Sequence, residues 1–323
     1  MPAVSVLIPC YNAARWLAQA IESALAQTWA PAEVIVADDG STDASAAIAA
    51  SYAPRVRLIE GPHSGGGAAR NRLLEAARGD WLQYLDADDY LLAEKIERQI
   101  STAGETGADV VYSPVLLRDE VTGTERAYEG ASGDPVIDYI RWGPFQTSAM
   151  LWRREALLRA GGWRPDQPVC QEHELLLRLF GAGARVAFCP AARTVYRRHA
   201  TPSVSRRDPL ETVRMRMALT DEFEQMLARQ GLLDRRLRRE LYVARMECAR
   251  SSFPLDAALA RRLRRQARRT GTFFFVQSPA LPLNYRLALL TVGFERAEHI
   301  AGMLRGRHSF GRKDGRQLGG LMA

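Results

Sequence analysis

Large apolar side chains fall along the first two hundred residues in two rhythms. Short unbroken runs occur at residues 4–8, 33–37, 56–59, 81–85 and 110–112. Each is too short for a helix and rich in β-branched or aromatic residues, as a strand buried on both faces should be. Between the runs, apolar residues recur every three or four positions. Trp16, Leu17, Ala20, Ile21, Ala24 and Leu25 share a helical face, and helices are predicted over 44–52, 70–77 and 91–103. Asp43 is placed to cap the 44–52 helix. Strand, helix, strand, helix, strand within the first sixty residues predicts βαβ units and a parallel sheet.

Further on, residues 118–135 are polar and contain glycine, which predicts a hairpin or a surface loop. Residues 146–152 read as a strand. The helix predicted over 153–160 stops at Gly161-Gly162, a C-terminal glycine signal. Residues 171–180 form a helix with acidic residues in its first turn, where the dipole favours them, and 186–188 and 194–197 read as strands. After residue 205 strand signals fade. Leu237, Leu241, Ala244 and Cys248 mark one helical face, and Leu259 and Leu263 another. The expected division is therefore an α/β domain over 1–205 and a smaller α-helical, Arg-rich region over 206–323, with short apolar patches at 273–276 and 287–290. The Gly- and Arg-rich tail after about residue 305 is expected to be mobile.

Charge sharpens that division. Residues 1–204 carry 20 basic and 25 acidic side chains, whereas residues 205–323 carry 24 basic and 12 acidic. All the basic residues except Lys95 and Lys313 are arginine. The Arg pairs of the second region suit either a solvated helical face or an anionic membrane surface. They lack interleaved aromatics and any nucleic-acid module, so no nucleic-acid partner is expected. The chain opens without a signal-peptide pattern, and no run approaches the roughly 20 apolar residues of a membrane span. A cytoplasmic location is expected, with peripheral placement at the inner face of the membrane as the variant the arginines allow. Cys10, Cys170, Cys189 and Cys248 show no metal-type spacing and read as reduced thiols.

The chemistry concentrates where strands end. Residues 81–85 run into Asp86, Asp88 and Asp89. Carboxylates that close together repel one another, and a hard cation such as Mg²⁺ or Mn²⁺ relieves them while bridging to a substrate phosphate; the alternative is a solvated acidic turn. Asp38-Asp39-Gly40 ends the second strand. Between the acidic sites lies Gly61-Pro62-His63-Ser64-Gly65-Gly66-Gly67, leading to Arg70. It lacks the Gly-Lys-Ser/Thr ending of a P-loop, and no G-x-G-x-x-G follows the first strand, which argues against a dinucleotide-binding dehydrogenase. The glycines read either as a flexible loop or as an approach to an anion at a helix start.

The order of these pieces resembles glycosyltransferase family 2. The pieces are Val4-Ser5-Val6-Leu7-Ile8-Pro9-Cys10-Tyr11-Asn12, Asp38-Asp39-Gly40-Ser41-Thr42-Asp43, Ala69-Arg70-Asn71, Ala77-Arg78-Gly79-Asp80, Asp86-Ala87-Asp88-Asp89, Gly161-Gly162-Trp163 and the 171–179 helix. The resemblance spans roughly residues 3–205. It implies a GT-A (Rossmann-like) fold, a mixed, mostly parallel sheet flanked by helices. It also implies inverting, metal-dependent transfer of a sugar, expected to be a hexose, from a nucleotide-sugar donor, most simply a UDP-sugar. The acceptor would be a hydroxyl on a glycan or lipid-linked saccharide, as in cell-envelope polysaccharide synthesis.

Carried onto this chain, the resemblance puts Pro9, Tyr11 and Asn12 around the nucleobase, with Tyr11 against its face. Asp39 accepts from the base imide N–H, with Asp38 beside it. Asp86 and Asp88 form the DxD motif; Asp88 reaches the metal, and Asp86 the ribose or a metal-bound water. Asp89 is expected to cap the next helix. Arg70 faces the diphosphate, and His199 the metal or the diphosphate, within a His-x-x-x-Ser segment over 199–203. Glu172 falls on the position of the general base, where the family usually has Asp; Glu174 is a second candidate, and His173 reads as packing. The processive synthases' Gln-x-x-Arg-Trp signature is missing, so a single transfer per encounter is expected. Because Glu replaces Asp, a nucleotide-sugar-binding protein without turnover is the alternative.

Overall fold

The computed structural model describes residues 1–128, 130–199, 208–271, 276, 278 and 281–309, the side chains of 305–309 excepted. Two compact units are present, Met1–Tyr139 with Gly143–Pro202, and Ile140–Trp142 with Ser203–Ala323.

The first unit is built on a seven-stranded sheet. Its strands are β1 (Val4–Cys10), β2 (Glu33–Asp38), β3 (Arg57–Glu60), β4 (Trp81–Tyr84), β6 (Val110–Tyr112), β9 (Met150–Arg153) and β10 (Val186–Phe188), in the order β10-β6-β9-β4-β1-β2-β3. Only β9 runs antiparallel to its neighbours β4 and β6. The sheet is therefore mixed and mostly parallel, and its strands are buried runs because helices cover both faces. On one face, Val4, Val6, Ile8, Val34 and Val36 share a core with Leu17, Ile21 and Ala24 of α1 (Leu17–Leu25), Ala49 of α2 (Ser45–Ala50) and Ile96, Ile100 and Ala103 of α4 (Lys95–Thr106). The alternate residues Leu7, Ile35 and Leu82 are fully buried on the other face, where α3 (Gly66–Ala76) lies against β1 and β2.

A second sheet, ordered β5-β11-β7-β8, joins β5 (Tyr90–Leu91), β11 (Thr194–Arg198), β7 (Val115–Asp119) and β8 (Glu125–Tyr128). β7 and β8 make an antiparallel hairpin that begins before the polar stretch 118–135 and ends inside it. α5 (Pro135–Ile140), α6 (Arg154–Arg159) and α7 (Gln171–Gly181) complete the first unit's helices; Gly161 and Gly162, both at positive φ, follow α6.

Three elements differ from the sequence reading. α3 starts at Gly66 and not at residue 70, so Gly66 and Gly67 lie inside the helix and Gly65 is its N-cap. A Cβ on Gly67 would sit 2.8 Å from the Arg164 carbonyl, so this glycine permits close packing of chain on chain. Residues 90–91 form β5, and α4 begins only at Lys95, because Tyr90 and Leu91 pair with β11. Residues 147–149 form a 3₁₀ turn before β9. There the Ser148 carbonyl accepts from the side chains of Gln83 and Thr194, bonds that replace a strand ladder.

The second unit is helical: α8 (Pro209–Arg229), α9 (Arg235–Ser252), α10 (Ala257–Thr270), α11 (Leu283–Thr291) and α12 (Phe294–Ser309). Asp208, Asp234 and Asp256 cap α8, α9 and α10, each accepting from backbone N–H groups of the first turn, a contact worth about 1 kcal/mol. Leu241, Cys248, Leu259 and Leu263 are buried in its core. The expected patch at 273–275 and the tail beyond 309 lie outside the described residues.

Candidate active site

β1 lies between β2 and β4 and is parallel to both, with Cys10 beside Asp38 and Leu7 beside Tyr84. The carboxylates that follow β2 and β4 therefore emerge on either side of one strand end, the position where open α/β sheets bind ligands.

At the end of β4, Asp86 donates its backbone N–H to the Ser148 hydroxyl, 3.0 Å away. Its Oδ1 accepts from Arg70 Nη2 at 2.9 Å. The same guanidinium donates to Gln171 Oε1 at 2.7 Å and lies 3.4 Å from Thr147 Oγ1. Thr147 in turn donates to Glu172 Oε1. One buried arginine, stacked on the Trp163 ring at 4.9 Å, thus ties the strand-end aspartate to the first turn of α7. Burial lifts the Asp86 carboxyl above the usual range; Arg70 opposes the rise, and Asp88 and Glu172 add to it. Burial works against the Arg70 charge, but Asp86 and Glu172 outweigh it and hold the guanidinium above its usual value.

Asp88 is more open. His199 Nε2 lies 3.0 Å from its Oδ2, and the imidazole stacks at 6.3 Å on Trp16. Asp89 is fully buried and does not cap α4. It accepts from the Arg197 N–H at 3.1 Å, from Gln146 Nε2 at 2.6 Å and from the Ser148 hydroxyl at 2.8 Å. Burial drives its carboxyl well upward, and Asp88 and Asp86 push it further. Arg197, also buried, donates to the Asp88 carbonyl at 3.0 Å and to Glu120 at 3.1 Å, and sits over the rings of Trp16 and Tyr90. β11 thereby pins the acidic turn from above.

The other strand end is arranged differently. Asp39 is buried, and both its oxygens meet donors from the protein: Arg72, the backbone N–H of Ser64 and Gly65, and His63 Nδ1 at 2.9 Å. The His63 ring also stacks on Tyr11, with centroids 4.1 Å apart and planes 23° apart. An aromatic ring with a nitrogen on Asp39 therefore already occupies the face assigned to a nucleobase. Gly40, at φ +75°, makes this approach possible, since a Cβ there would lie 2.8 Å from the His63 backbone nitrogen. Asp38 accepts from the Ser41 N–H at 3.0 Å, and its Oδ1 is buried without a partner among the described residues. Asn12, at φ 48°, accepts from the Thr42 N–H at 2.8 Å and donates its own backbone N–H to Ser41, clasping the two loops. Pro9 lies within β1, beside Ala37. Burial pushes the neighbouring Cys10 thiol up to about 11, so it stays protonated.

Two further expectations change. Arg70 is turned into the protein, onto Asp86 and Gln171, and not outward toward a diphosphate. Glu174 is held by Arg178 and Arg164 at 2.7 and 3.0 Å and is buried, which leaves Glu172 as the carboxylate of that turn within the network. His173 packs among Tyr139 and Phe145. Gln171, Thr147, His63, Arg72 and Arg197 were not anticipated as site residues; His63 and Gln171 lay in stretches already singled out, the glycine-rich turn and the 171–179 helix.

The described residues contain no group of three His, Cys, Asp or Glu side chains placed to hold a metal. Asp88 and His199 are in contact, while the Asp86 carboxylate is taken up by Arg70; donors this few suit Mg²⁺ or Mn²⁺ only where diphosphate oxygens supply most of the shell.

Comparisons with known proteins agree with this geometry. Residues 5–164 match the family model described as Glycosyl transferase family 2. Succinoglycan biosynthesis protein ExoO of Rhizobium meliloti is 43% identical over 112 residues, 34% of this chain and 32% of the relative. The uncharacterized glycosyltransferase YibD of Escherichia coli is 41% identical over 110 residues, 33% of this chain and 32% of the relative. The matched segment thus spans about a third of either relative's length. Among solved structures, S. aureus TarS 1–349 superposes with a TM-score of 0.62 at 17% identity, covering 93% of this chain and 91% of that one. The same protein in complex with UDP-GlcNAc gives a TM-score of 0.56 at 15% identity, covering 86% and 95%. The fold is GT-A, and residues 5–164 belong to glycosyl transferase family 2.

Proposed function

We propose that this chain is an inverting glycosyltransferase that moves a sugar, a hexose, from a UDP-linked donor to a hydroxyl of a glycan or lipid-linked saccharide. The observation that carries the reading is the link from Asp86 through Arg70 and Thr147 to Glu172, which joins in one hydrogen-bonded network the carboxylate read as facing the diphosphate and the one read as the base. The fold shared with TarS, which was solved in complex with UDP-GlcNAc, supports the uridine donor.

In this reading the acceptor oxygen attacks the anomeric carbon as Glu172 takes its proton. The new C–O bond forms as the bond to the diphosphate breaks, and the leaving group departs with the electron pair. Thr147 fixes one Glu172 oxygen and leaves the other for the acceptor. Arg70 keeps Asp86 and the α7 turn at a set separation. Asp88, Asp86 and His199 would hold a divalent cation, whose chemistry is neutralisation of charge developing on the departing diphosphate. Tyr11 would receive the uracil face after His63 moves aside.

The test is a thermal-shift series of nucleoside diphosphates and nucleotide sugars with and without Mn²⁺, followed by transfer assays on the best donor. A shift specific to uridine nucleotides and enhanced by Mn²⁺, with turnover, supports the proposal. Donor binding without any transfer or hydrolysis leaves a nucleotide-sugar-binding protein instead.

A further inference from the structure

The helical unit carries a concentration of charge that the transfer chemistry does not use. An open cavity of about 490 Å³ is lined by Arg261, Arg264, Arg265 and Arg296, with Glu295 as its carboxylate. Arg261 pairs with Glu295 at 3.1 Å, and Arg264 lies 5.3 Å over the Phe294 ring. Among the described residues, Arg265 and Arg296 make no ion pair, and both are exposed. Four arginines face one glutamate, so the hollow has more cation than it can balance; burial, with Arg268 beside it, holds the Arg264 guanidinium below its usual value.

The chain leading into this hollow is apolar. Val292 lines it, and just before it α11 exposes Leu283, Leu287 and Leu290, with relative exposures of 57%, 48% and 67%. These positions are four and three residues apart and so share one face of the helix, while Tyr285, on the other side, is buried. α12 exposes Ile300, Met303 and Leu304 at the same kind of spacing. A solvated helix face would explain the arginines but not leucines on the solvent side, which forgo the gain of burial. α10 shows the ordinary pattern, with Leu259, Leu263 and Ala267 inward and arginine outward.

We propose that this face is a docking surface for an anionic phospholipid bilayer. Lipid phosphates enter the arginine-lined hollow, and Leu283, Leu287 and Leu290 enter the acyl boundary beside it. A bilayer offers both chemistries in that order, phosphate outside and hydrocarbon within. A second copy meeting the same face would set arginine against arginine. The inference is independent of the transfer reaction, since lipid binding is read without turnover.

The experiment is co-sedimentation of the full chain with vesicles of phosphatidylcholine alone and of phosphatidylcholine mixed with phosphatidylglycerol. Wild type should bind the mixed vesicles and not the neutral ones. Arg265→Gln with Arg296→Gln should weaken binding about 30-fold, from about fivefold per arginine. Leu287→Ser with Leu290→Ser should abolish it, with unchanged circular dichroism and melting for both variants. Equal binding to neutral vesicles, or variants that bind like wild type, would overturn the proposal. So would a failure to bind vesicles, whether the leucine variant then disperses a self-associated wild type or glycerol phosphate alone raises the melting temperature.

Discussion

Two carboxylate clusters flank the end of β1, and the protein treats them in opposite ways. Asp38 and Asp39, after β2, are almost fully buried, and Asp39 is enclosed by donors of its own chain. Asp86, Asp88 and Asp89, after β4, are graded. Asp89 is buried and structural, Asp86 is shared between Arg70 and the cleft, and the Asp88 side chain is 37% exposed with a single imidazole beside it. A cluster that is enclosed organises loops. A cluster that opens outward step by step can organise its inner members and still present an outer one to a ligand.

The largest expected effect tests the open side. Replacing Glu172 by Gln keeps the hydrogen bond from Thr147 but removes the proton acceptor. Transfer should fall about 10³-fold in kcat with donor affinity unchanged, within the range of a positioned general base. Initial rates and donor titration on the same variant separate the two quantities, and an unchanged rate would move the base elsewhere.

Next comes the enclosed side. Asp39→Ala leaves the Arg72 guanidinium and the Ser64 and Gly65 N–H groups without their acceptor, and breaking a buried pair of this kind costs about 3 kcal/mol. Urea denaturation should show that loss. Asp88→Asn, whose pairing with His199 is half open, should cost under about 1 kcal/mol of stability yet lower transfer about 100-fold, the scale of a lost metal contact. Chelation by EDTA should reproduce the rate loss in wild type and add little to the variant. If Asp88→Asn is the less stable of the two, the contrast between the clusters fails.

Both clusters were legible in the sequence because each follows a run of apolar residues that can only be a buried parallel strand. The polar residues between them were not. Arg70 and Asp86 are 16 positions apart, Arg70 and Gln171 are 101 apart, and Arg197 and Asp88 are 109 apart; no local pattern encodes such contacts. β5 escaped notice because two residues carry no periodicity, and its pairing with β11 comes from across the chain. In the helical unit the opposite holds. Its core faces follow from spacing, while the exposed leucines of α11 looked like any short apolar patch until burial separated inside from outside.

The smallest effect reads the contact between Tyr11 and His63. A stacked aromatic pair is worth about 1 kcal/mol beyond its area, and the His63 imidazole adds a contact to Asp39 at 2.9 Å. A nucleobase using the same face must displace that ring, so its observed affinity is reduced by what the ring was contributing. His63→Ala should therefore bind UDP about fivefold more tightly, with little change in kcat, since His63 touches neither Glu172 nor Asp88. His63→Phe keeps the stack and drops the Asp39 contact, and should fall between Ala and wild type. Titration calorimetry on the three proteins gives the ordering. Weaker binding by the Ala variant would mean that the ring moves aside only to close over the base, as a second stacking face, and the β2 cluster would then be as much a ligand site as its neighbour.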